Sequence, residues 1–164
     1  MSVNLGKEFE SQVLAKGSEA KRFLTNRIAY HLRTALRRRV EFWFVLELSE
    51  PPARRLHFHG EIACTATEAK RARKALRAAA GEWDPSARRH QVHTDPRPDV
   101  GQVSYAFKQE PLLVTERFLN LPRAESWRDD PFMITQGLKN NARKVYEALR
   151  RVVTLPGNGL RKIA

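Results

Sequence analysis

Two histidines separated by a single residue are the first feature of this sequence with an evident chemical use. They lie in the stretch 56–62, LHFHGEI, whose alternation of apolar and polar residues predicts a β-strand. Residues two apart on a strand point to the same side, so His57 and His59 would share one face of a sheet. The stretch 41–49, EFWFVLELS, also predicts a strand, with one side formed by Phe42, Phe44, Leu46 and Leu48 and the other by Glu41, Trp43, Val45, Glu47 and Ser49. In an antiparallel pair, the residue numbers of opposing residues add up to a constant index sum. A sum of about 104 to 106 would place Glu47 opposite one of the two histidines.

Two imidazoles and a carboxylate on one sheet face are a set of metal ligands. They suit Mn²⁺ or Zn²⁺, and three protein ligands leave positions for water or a phosphate oxygen. The carboxylate stays open between Glu47, Glu50 and Glu61, because the connection between the strands contains two prolines and exceeds a tight turn. Solvated polar residues are the alternative interpretation of this pattern. His90 and His93 are candidates for a third histidine ligand, but a polar strand is our preferred interpretation of both. The other face of the two strands is apolar and predicts a core: Phe42, Phe44, Leu46, Leu48, Leu56, Phe58 and Ile62.

Tyr105 and Lys108 form a second candidate pair. Positions three apart on a helix share a face, so the two side chains would project together. A nearby cation favours the phenolate of a tyrosine, whose ordinary pKa is about 10, and this makes the oxygen a stronger nucleophile. A half-buried tyrosine beside a surface lysine is the structural alternative.

The first part of the chain predicts one long basic helix. Residues 1–17 carry little pattern and predict a loose leader or a short helix. Ser18 is a candidate N-cap for a helix whose apolar stripe is Leu24, Ile28, Leu32 and Leu36. Its other faces are basic and include Arg37, Arg38 and Arg39, which suit either solvent or a phosphate backbone.

The rest of the chain predicts shorter elements. Thr65 and Glu68 form a capping box for a helix over about 66–80, ended by Gly81. A short polar strand is expected at 89–94, a helix from about 100 to Pro111, irregular chain over 111–130 and an amphipathic helix over about 132–153. Trp43 is expected either to pack in the core or to stack on an unpaired base. The second helix carries a basic row that includes Lys70, Arg73, Lys74 and Arg77.

The strand and helix patterns together indicate an α+β fold. Length and composition predict one soluble domain with a polyanionic partner. The 164 residues are 41% hydrophobic, and no apolar stretch is long enough to span a membrane or to form a secretory signal. The single cysteine, Cys64, favours the cytoplasm as the compartment. The net charge is +12, and 21 of the 30 basic residues are arginines, whose planar fork matches phosphate oxygens.

Taken together, the motifs resemble those of the HUH endonucleases, and most closely the rolling-circle replication initiators (Rep) with one catalytic tyrosine. The matching stretches are WFVLEL at 43–48, LHFHGEI at 56–62 and VSYAFK at 103–108, so the resemblance covers about residues 41–110. It implies a central antiparallel β-sheet of the HUH or RRM-like type, flanked by an N-terminal basic helix and a C-terminal helix. Residues 1–164 would form one such domain, with 111–164 as a helical extension.

The resemblance implies a site and a reaction. His57, His59 and Glu47 would bind a divalent metal, Mn²⁺ or Mg²⁺, and Tyr105 would attack the scissile phosphate with help from Lys108. The products would be a 5′-phosphotyrosyl DNA and a free 3′-hydroxyl. Single-stranded or hairpin origin DNA of a plasmid, phage or mobile element would be the substrate. The basic residues expected to hold its backbone are Arg37, Arg38, Arg39, Arg54, Arg55, Lys70, Arg73, Lys74 and Arg77.

Two further functions remain open from the sequence. One is a transposase or relaxase of the same superfamily, and the other is a DNA- or RNA-binding regulator that has the fold without the activity. The sequence contains no Gly-rich phosphate loop of a helicase, so strand unwinding is expected from a separate helicase.

Overall fold

A five-stranded antiparallel sheet with four α-helices is formed by residues 1–48, 55–95 and 132–153, which are the residues that the computed structural model describes. The strands are β1 (Ser2–Asn4), β2 (Phe42–Leu48), β3 (Leu56–Ile62), β4 (Val92–His93) and β5 (Phe132–Ile134). They lie in the order β4-β1-β3-β2-β5, so the predicted α+β class with a central antiparallel sheet flanked by helices is confirmed. The helices are α1 (Lys7–Leu14), α2 (Ala20–Leu36), α3 (Ala69–Ala79) and α4 (Gln136–Val153).

The N-terminal segment forms an inner strand of the sheet, between β3 and β4. β1 pairs with β3 on one side and with β4 on the other, and Val3 and Leu5 are fully buried. The expectation of a loose leader or short helix over 1–17 was therefore incomplete, because it missed this strand. Three residues are too few to show a strand periodicity, and β1 is specified by the two strands that it pairs with.

One face of the sheet carries the main core. The predicted stripe of α2 (Leu24, Ile28, Leu32 and Leu36) packs there against Phe44, Leu46 and Phe58, together with Ala72, Ala75, Leu76 and Ala79 of α3. Burying each of the large apolar side chains contributes about 1.5 to 3 kcal/mol. Both long basic helices therefore cover the same face of the sheet.

The predicted hairpin of β2 and β3 forms with an index sum of 104, within the expected range. Phe44 lies opposite Gly60, and Leu46 lies opposite Phe58. A Cβ atom at Gly60 would overlap the backbone carbonyl of Trp43, so the close approach of β2 requires glycine at this position.

The starts of two helices differ from the prediction. Ser18 lies in a 3₁₀ turn, Gly17–Glu19, and α2 begins after Glu19 without a side-chain cap, so the predicted N-cap is wrong. Thr65 and Glu68 do interact, since the Thr65 N–H donates to the Glu68 carboxylate at 2.9 Å. They close a turn ahead of the helix, however, and α3 begins only at Ala69. Gly81 ends this region with φ of +83°, as predicted.

The last two strands differ from the sequence prediction. Within the predicted strand 89–94 only Val92–His93 pairs, because Pro85–His90 forms a 3₁₀ helix. Residues 132–134, predicted as the start of the last helix, form β5 along β2, and α4 follows at Gln136. The carboxylate of Glu41 joins these elements, since it accepts hydrogen bonds from the Thr135 hydroxyl and from the Leu138 N–H.

The predicted helix from about 100 to Pro111 and the irregular chain over 111–130 lie outside the described residues. Within the described ranges, none of the helices combines the length and apolar character needed to cross a membrane.

The ion pair of Glu68 and Arg38 predicts a pH-dependent stability. The Arg38 guanidinium donates to both carboxylate oxygens at 2.8 and 2.9 Å, and this hydrogen bonding lowers the pKa of Glu68 from 4.5 to about 2. A depressed carboxyl pKa stabilises the fold above pH 4.5, and this contribution is lost as the pH falls to about 2. Glu68→Gln should therefore lower the melting temperature at pH 7, and the gap to the wild type should close between these two pH values.

Thermal unfolding followed by circular dichroism measures this effect. Glu8→Gln, a change at an exposed carboxylate of α1, is the matched control and should leave the melting temperature unchanged. A gap between Glu68→Gln and the wild type that stays constant down to pH 2 would contradict the assignment.

Candidate metal centre

The paired strands β2 and β3 bring Glu47, His57 and His59 together on the sheet face opposite the main core. Glu47 lies directly opposite His57, and Val45 lies opposite His59, so Glu47 is the diagonal neighbour of His59. The side chain of Glu47 is 1% exposed, and those of His57 and His59 are 15% and 18% exposed. The strand alternation that buries Leu46 and Phe58 in the core is what turns these three side chains to the other face.

The distances among the three side chains fit a metal ion. The Glu47 Oε2 atom lies 3.5 Å from His57 Nε2 and 3.7 Å from His59 Nε2, and the three ligand atoms all lie within 4.8 Å of one another. These separations exceed an ordinary hydrogen bond. Neighbouring ligand atoms of a tetrahedral metal site lie about 3.4 Å apart, because each bond to the metal is about 2.1 Å long. The donor set of two imidazoles and a carboxylate therefore fits a divalent ion of the Mn²⁺ or Zn²⁺ type.

The orientation of His57 is fixed by a backbone hydrogen bond. His57 Nδ1 lies 3.1 Å from the carbonyl oxygen of Arg55. Because a carbonyl only accepts, Nδ1 must carry the proton, and in the neutral ring the lone pair is then on Nε2, which faces Glu47. The rings of His57 and His59 meet edge to face with their centroids 4.9 Å apart. Sequence reasoning missed the role of the Arg55 carbonyl as the acceptor for His57. Every residue has a backbone carbonyl, and no sequence pattern reveals which one a side chain will bind.

Glu61 has a different role from Glu47. It lies opposite Trp43, whose indole N–H donates to its carboxylate at 3.1 Å. Trp43 is 8% exposed and packs with Val45 against Phe132, so it is a buried packing residue rather than an open stacking platform. The same apolar cluster includes Ile134 and Leu138, and it borders the triad on the β5 side of the sheet.

Two further histidines stay apart from the triad. His93 of β4 lies opposite Ser2 of β1, which in turn lies opposite His59, so all three belong to one row across the sheet. His93 is thus exposed on the same face but two strands from His59. His90 lies in the 3₁₀ helix, where its Nε2 accepts a hydrogen bond from Arg89. Both are exposed polar residues, but only His93 lies in a strand as the polar-strand interpretation expected.

Several of the predicted DNA-contacting arginines make contacts within the fold. Arg38 binds Glu68 and also donates to the Ala63 carbonyl. Arg39 pairs with Glu41 at 3.1 Å, and Arg55 pairs with Glu10 at 2.9 Å. Arg37 is exposed and ends α2 in a left-handed conformation with φ of 56°.

The basic row of α3 lies on the helical side of the sheet. Lys70, Arg73 and Lys74 are exposed, and Arg77 is half-buried. The Arg73 guanidinium donates to the Thr94 hydroxyl at 2.7 Å, which places this row beside the chain that leaves β4. The row and the triad are therefore on opposite faces of the sheet.

Tyr105, Lys108, Arg54 and Glu50 lie outside the described residues, so the structure places the predicted metal ligands but not the predicted nucleophile. Comparisons of the chain with family models, with curated proteins and with solved structures find no match.

The geometry predicts that the triad binds a divalent ion. Removing one ligand, as in His57→Ala or Glu47→Gln, should weaken Mn²⁺ and Zn²⁺ binding by more than about 100-fold, since even the loss of an outer-shell partner costs 10- to 100-fold. Isothermal titration calorimetry of the chelator-treated protein measures the affinities. His93→Ala removes an exposed histidine from the same face and should bind the ions as the wild type does. Equal weakening in His93→Ala and His57→Ala would contradict a site at the triad.

Proposed function

We propose that the chain is a metal-dependent, sequence-specific DNA nickase and strand transferase that initiates rolling-circle replication of a plasmid, phage or other mobile element. The observation that carries the proposal is the convergence of Glu47, His57 and His59 on one face of an antiparallel sheet. The ordered motifs of the sequence, with Tyr105 and Lys108 after the histidine strand, support the same reaction.

The reaction is a transesterification at phosphorus. When bound by the triad, a divalent ion supplies Lewis-acid polarisation of the scissile phosphate and lowers the cost of charge in the transition state. The Tyr105 oxygen attacks the phosphorus, the bond from phosphorus to O3′ breaks, and O3′ leaves with the electron pair and takes up a proton. Lys108 orients the phosphate or favours the phenolate of Tyr105. The phosphotyrosyl bond keeps the phosphodiester energy, so a 3′-hydroxyl can reseal the strand without ATP.

The basic surface would hold the DNA backbone. With a net charge of +12, binding of a polyanion is favourable and depends on salt because counterions are released. The exposed row of α3 is suited to phosphate contacts outside the metal centre, since it lies on the opposite face of the sheet. These contacts would position DNA that flanks the nicked strand rather than the scissile phosphate itself.

A covalent adduct on Tyr105 is the direct test. The wild-type protein, incubated with Mn²⁺ and a randomised library of single-stranded and hairpin-flanked oligonucleotides, should form a protein–DNA adduct that mass spectrometry locates on Tyr105. The adduct should disappear in Tyr105→Phe, in His57→Ala and after addition of EDTA. Tyr30→Phe, a change at an exposed tyrosine of α2 on the helical side, is the matched control and should retain it.

Two outcomes would contradict the proposal. An adduct that persists in Tyr105→Phe would assign the nucleophile to another residue. Tight binding of library members without any adduct, and without a change on addition of EDTA, would favour the non-catalytic regulator.

Charge reversal on α3 tests the backbone contacts. Lys70→Glu combined with Lys74→Glu should weaken binding of DNA and reduce the slope of log affinity against log salt by about two, one for each lost phosphate contact. Metal affinity should stay unchanged, because these lysines lie on the face opposite the triad. Lys7→Glu combined with Arg22→Glu makes the same change of net charge on α1 and α2. Equal effects of the two double variants would mean that net charge alone, rather than the α3 row, controls binding.

A further inference from the structure

Glu10 of α1 is a buried carboxylate that contacts the start of β3. It is 7% exposed, and both of its oxygens accept hydrogen bonds from the segment that leads to the metal ligands. Oε2 accepts from Arg55 Nε at 2.9 Å, and Oε1 accepts from the backbone N–H of Leu56 at 2.7 Å. The Arg55 guanidinium also donates to the Leu5 carbonyl at 2.8 Å and lies over the Trp83 ring. The first residues of β3 are therefore held from the side of α1.

One peptide unit connects Glu10 to the metal centre. The N–H of Leu56 and the carbonyl of Arg55 belong to the same planar amide, and that carbonyl accepts the Nδ1 proton of His57 at 3.1 Å. The hydrogen bonds thus run without a break from the Glu10 carboxylate through this amide to the His57 ring. On the far side of the ring, His57 Nε2 faces Glu47.

We propose that Glu10 is a positioning residue for the metal ligand His57, acting through the amide between Arg55 and Leu56. Because the amide is planar, holding its N–H also fixes the direction of its carbonyl, which selects the ring tautomer with the lone pair on Nε2. A carboxylate at the N–H end polarises the amide and makes the carbonyl a stronger acceptor. Metal-binding histidines commonly donate a hydrogen bond from the N–H of their other ring nitrogen to a carboxylate or a backbone carbonyl. Here the acceptor is a backbone carbonyl, and its amide transmits the effect of the Glu10 carboxylate. The inference rests on the proposed metal site at the triad.

A second carboxylate in the chain offers a matched comparison. Glu68 also accepts from an arginine, Arg38, and from a backbone N–H, that of Thr65 at 2.9 Å. Its network lies at the start of α3, away from the triad. A role that is merely structural should therefore give the same result for both carboxylates, whereas the positioning role applies to Glu10 alone.

Metal affinity and the tautomer of His57 together test the proposal. The full chain, freed of metal by a chelator, is titrated with Zn²⁺ by calorimetry, and the ring nitrogens of the histidines are observed by ¹H–¹⁵N correlation NMR without metal. Glu10→Gln should weaken Zn²⁺ binding by about 10- to 100-fold, the range found for outer-shell partners, and should broaden or mix the His57 tautomers. Glu68→Gln should leave both readouts as in the wild type. Circular dichroism confirms that each variant is folded, and Glu10→Asp serves in place of Glu10→Gln if the latter does not fold.

The possible results separate the two claims. Wild-type affinity and an unchanged His57 tautomer in Glu10→Gln would overturn the positioning role, and so would equal losses in Glu10→Gln and Glu68→Gln. If the wild type bound no metal, the proposed function would fail. The NMR comparison would then still decide whether Glu10 controls the tautomer of His57, because it is made in the metal-free protein.

Discussion

The antiparallel register of β2 against β3 is the constraint on which the rest of this structure depends. With an index sum of 104, the pairing buries Phe44, Leu46 and Phe58 on one face and gathers Glu47, His57 and His59 on the other. A shift of the register by one residue would move the apolar side chains of the shifted strand out of the core and its polar side chains into it. The large apolar side chains and the polar triad therefore specify the same register. Gly60 contributes by allowing β2 to approach where any Cβ atom would collide with its backbone.

The sheet separates two kinds of surface. On one face, α2 and α3 bury their apolar stripes in the core and turn their basic residues to solvent. On the other, the triad is bordered by the apolar cluster of Trp43, Val45 and Phe132. Glu41 ties the β5 side of the sheet together, because its carboxylate accepts from both Thr135 and Leu138 at the start of α4. The polar part of the triad face extends instead across β1, where Ser2 and Asn4 lie opposite His59 and His57.

The short N-terminal segment links the core to the candidate metal centre. β1 fills the space between β3 and β4, and α1 then places Glu10 against the first residues of β3. A buried carboxylate is costly unless it is paired and hydrogen-bonded, and Glu10 meets this condition with Arg55 and the Leu56 N–H. The same contacts set the direction of the Arg55 carbonyl. The hydrogen bonds that stabilise the buried Glu10 carboxylate therefore also orient His57.

The sequence by itself determined the elements whose patterns repeat. The four-residue spacing of Leu24, Ile28, Leu32 and Leu36 predicted α2. The two-residue period of β2 and β3 predicted the hairpin and the convergence of His57 and His59 with a carboxylate. Shorter elements were harder to predict: β1 and β5 contain only three residues each, too few for a period to show, and of the short strand predicted at 89–94 only the two residues of β4 pair. Only the tertiary structure decided three features of the site. It selects Glu47 rather than Glu61 as the carboxylate beside the histidines. It also places the α3 row on the other face from the triad and brings Glu10 to the start of β3. Each depends on contacts between segments that are distant in the chain, and no local pattern records which partner a side chain will meet.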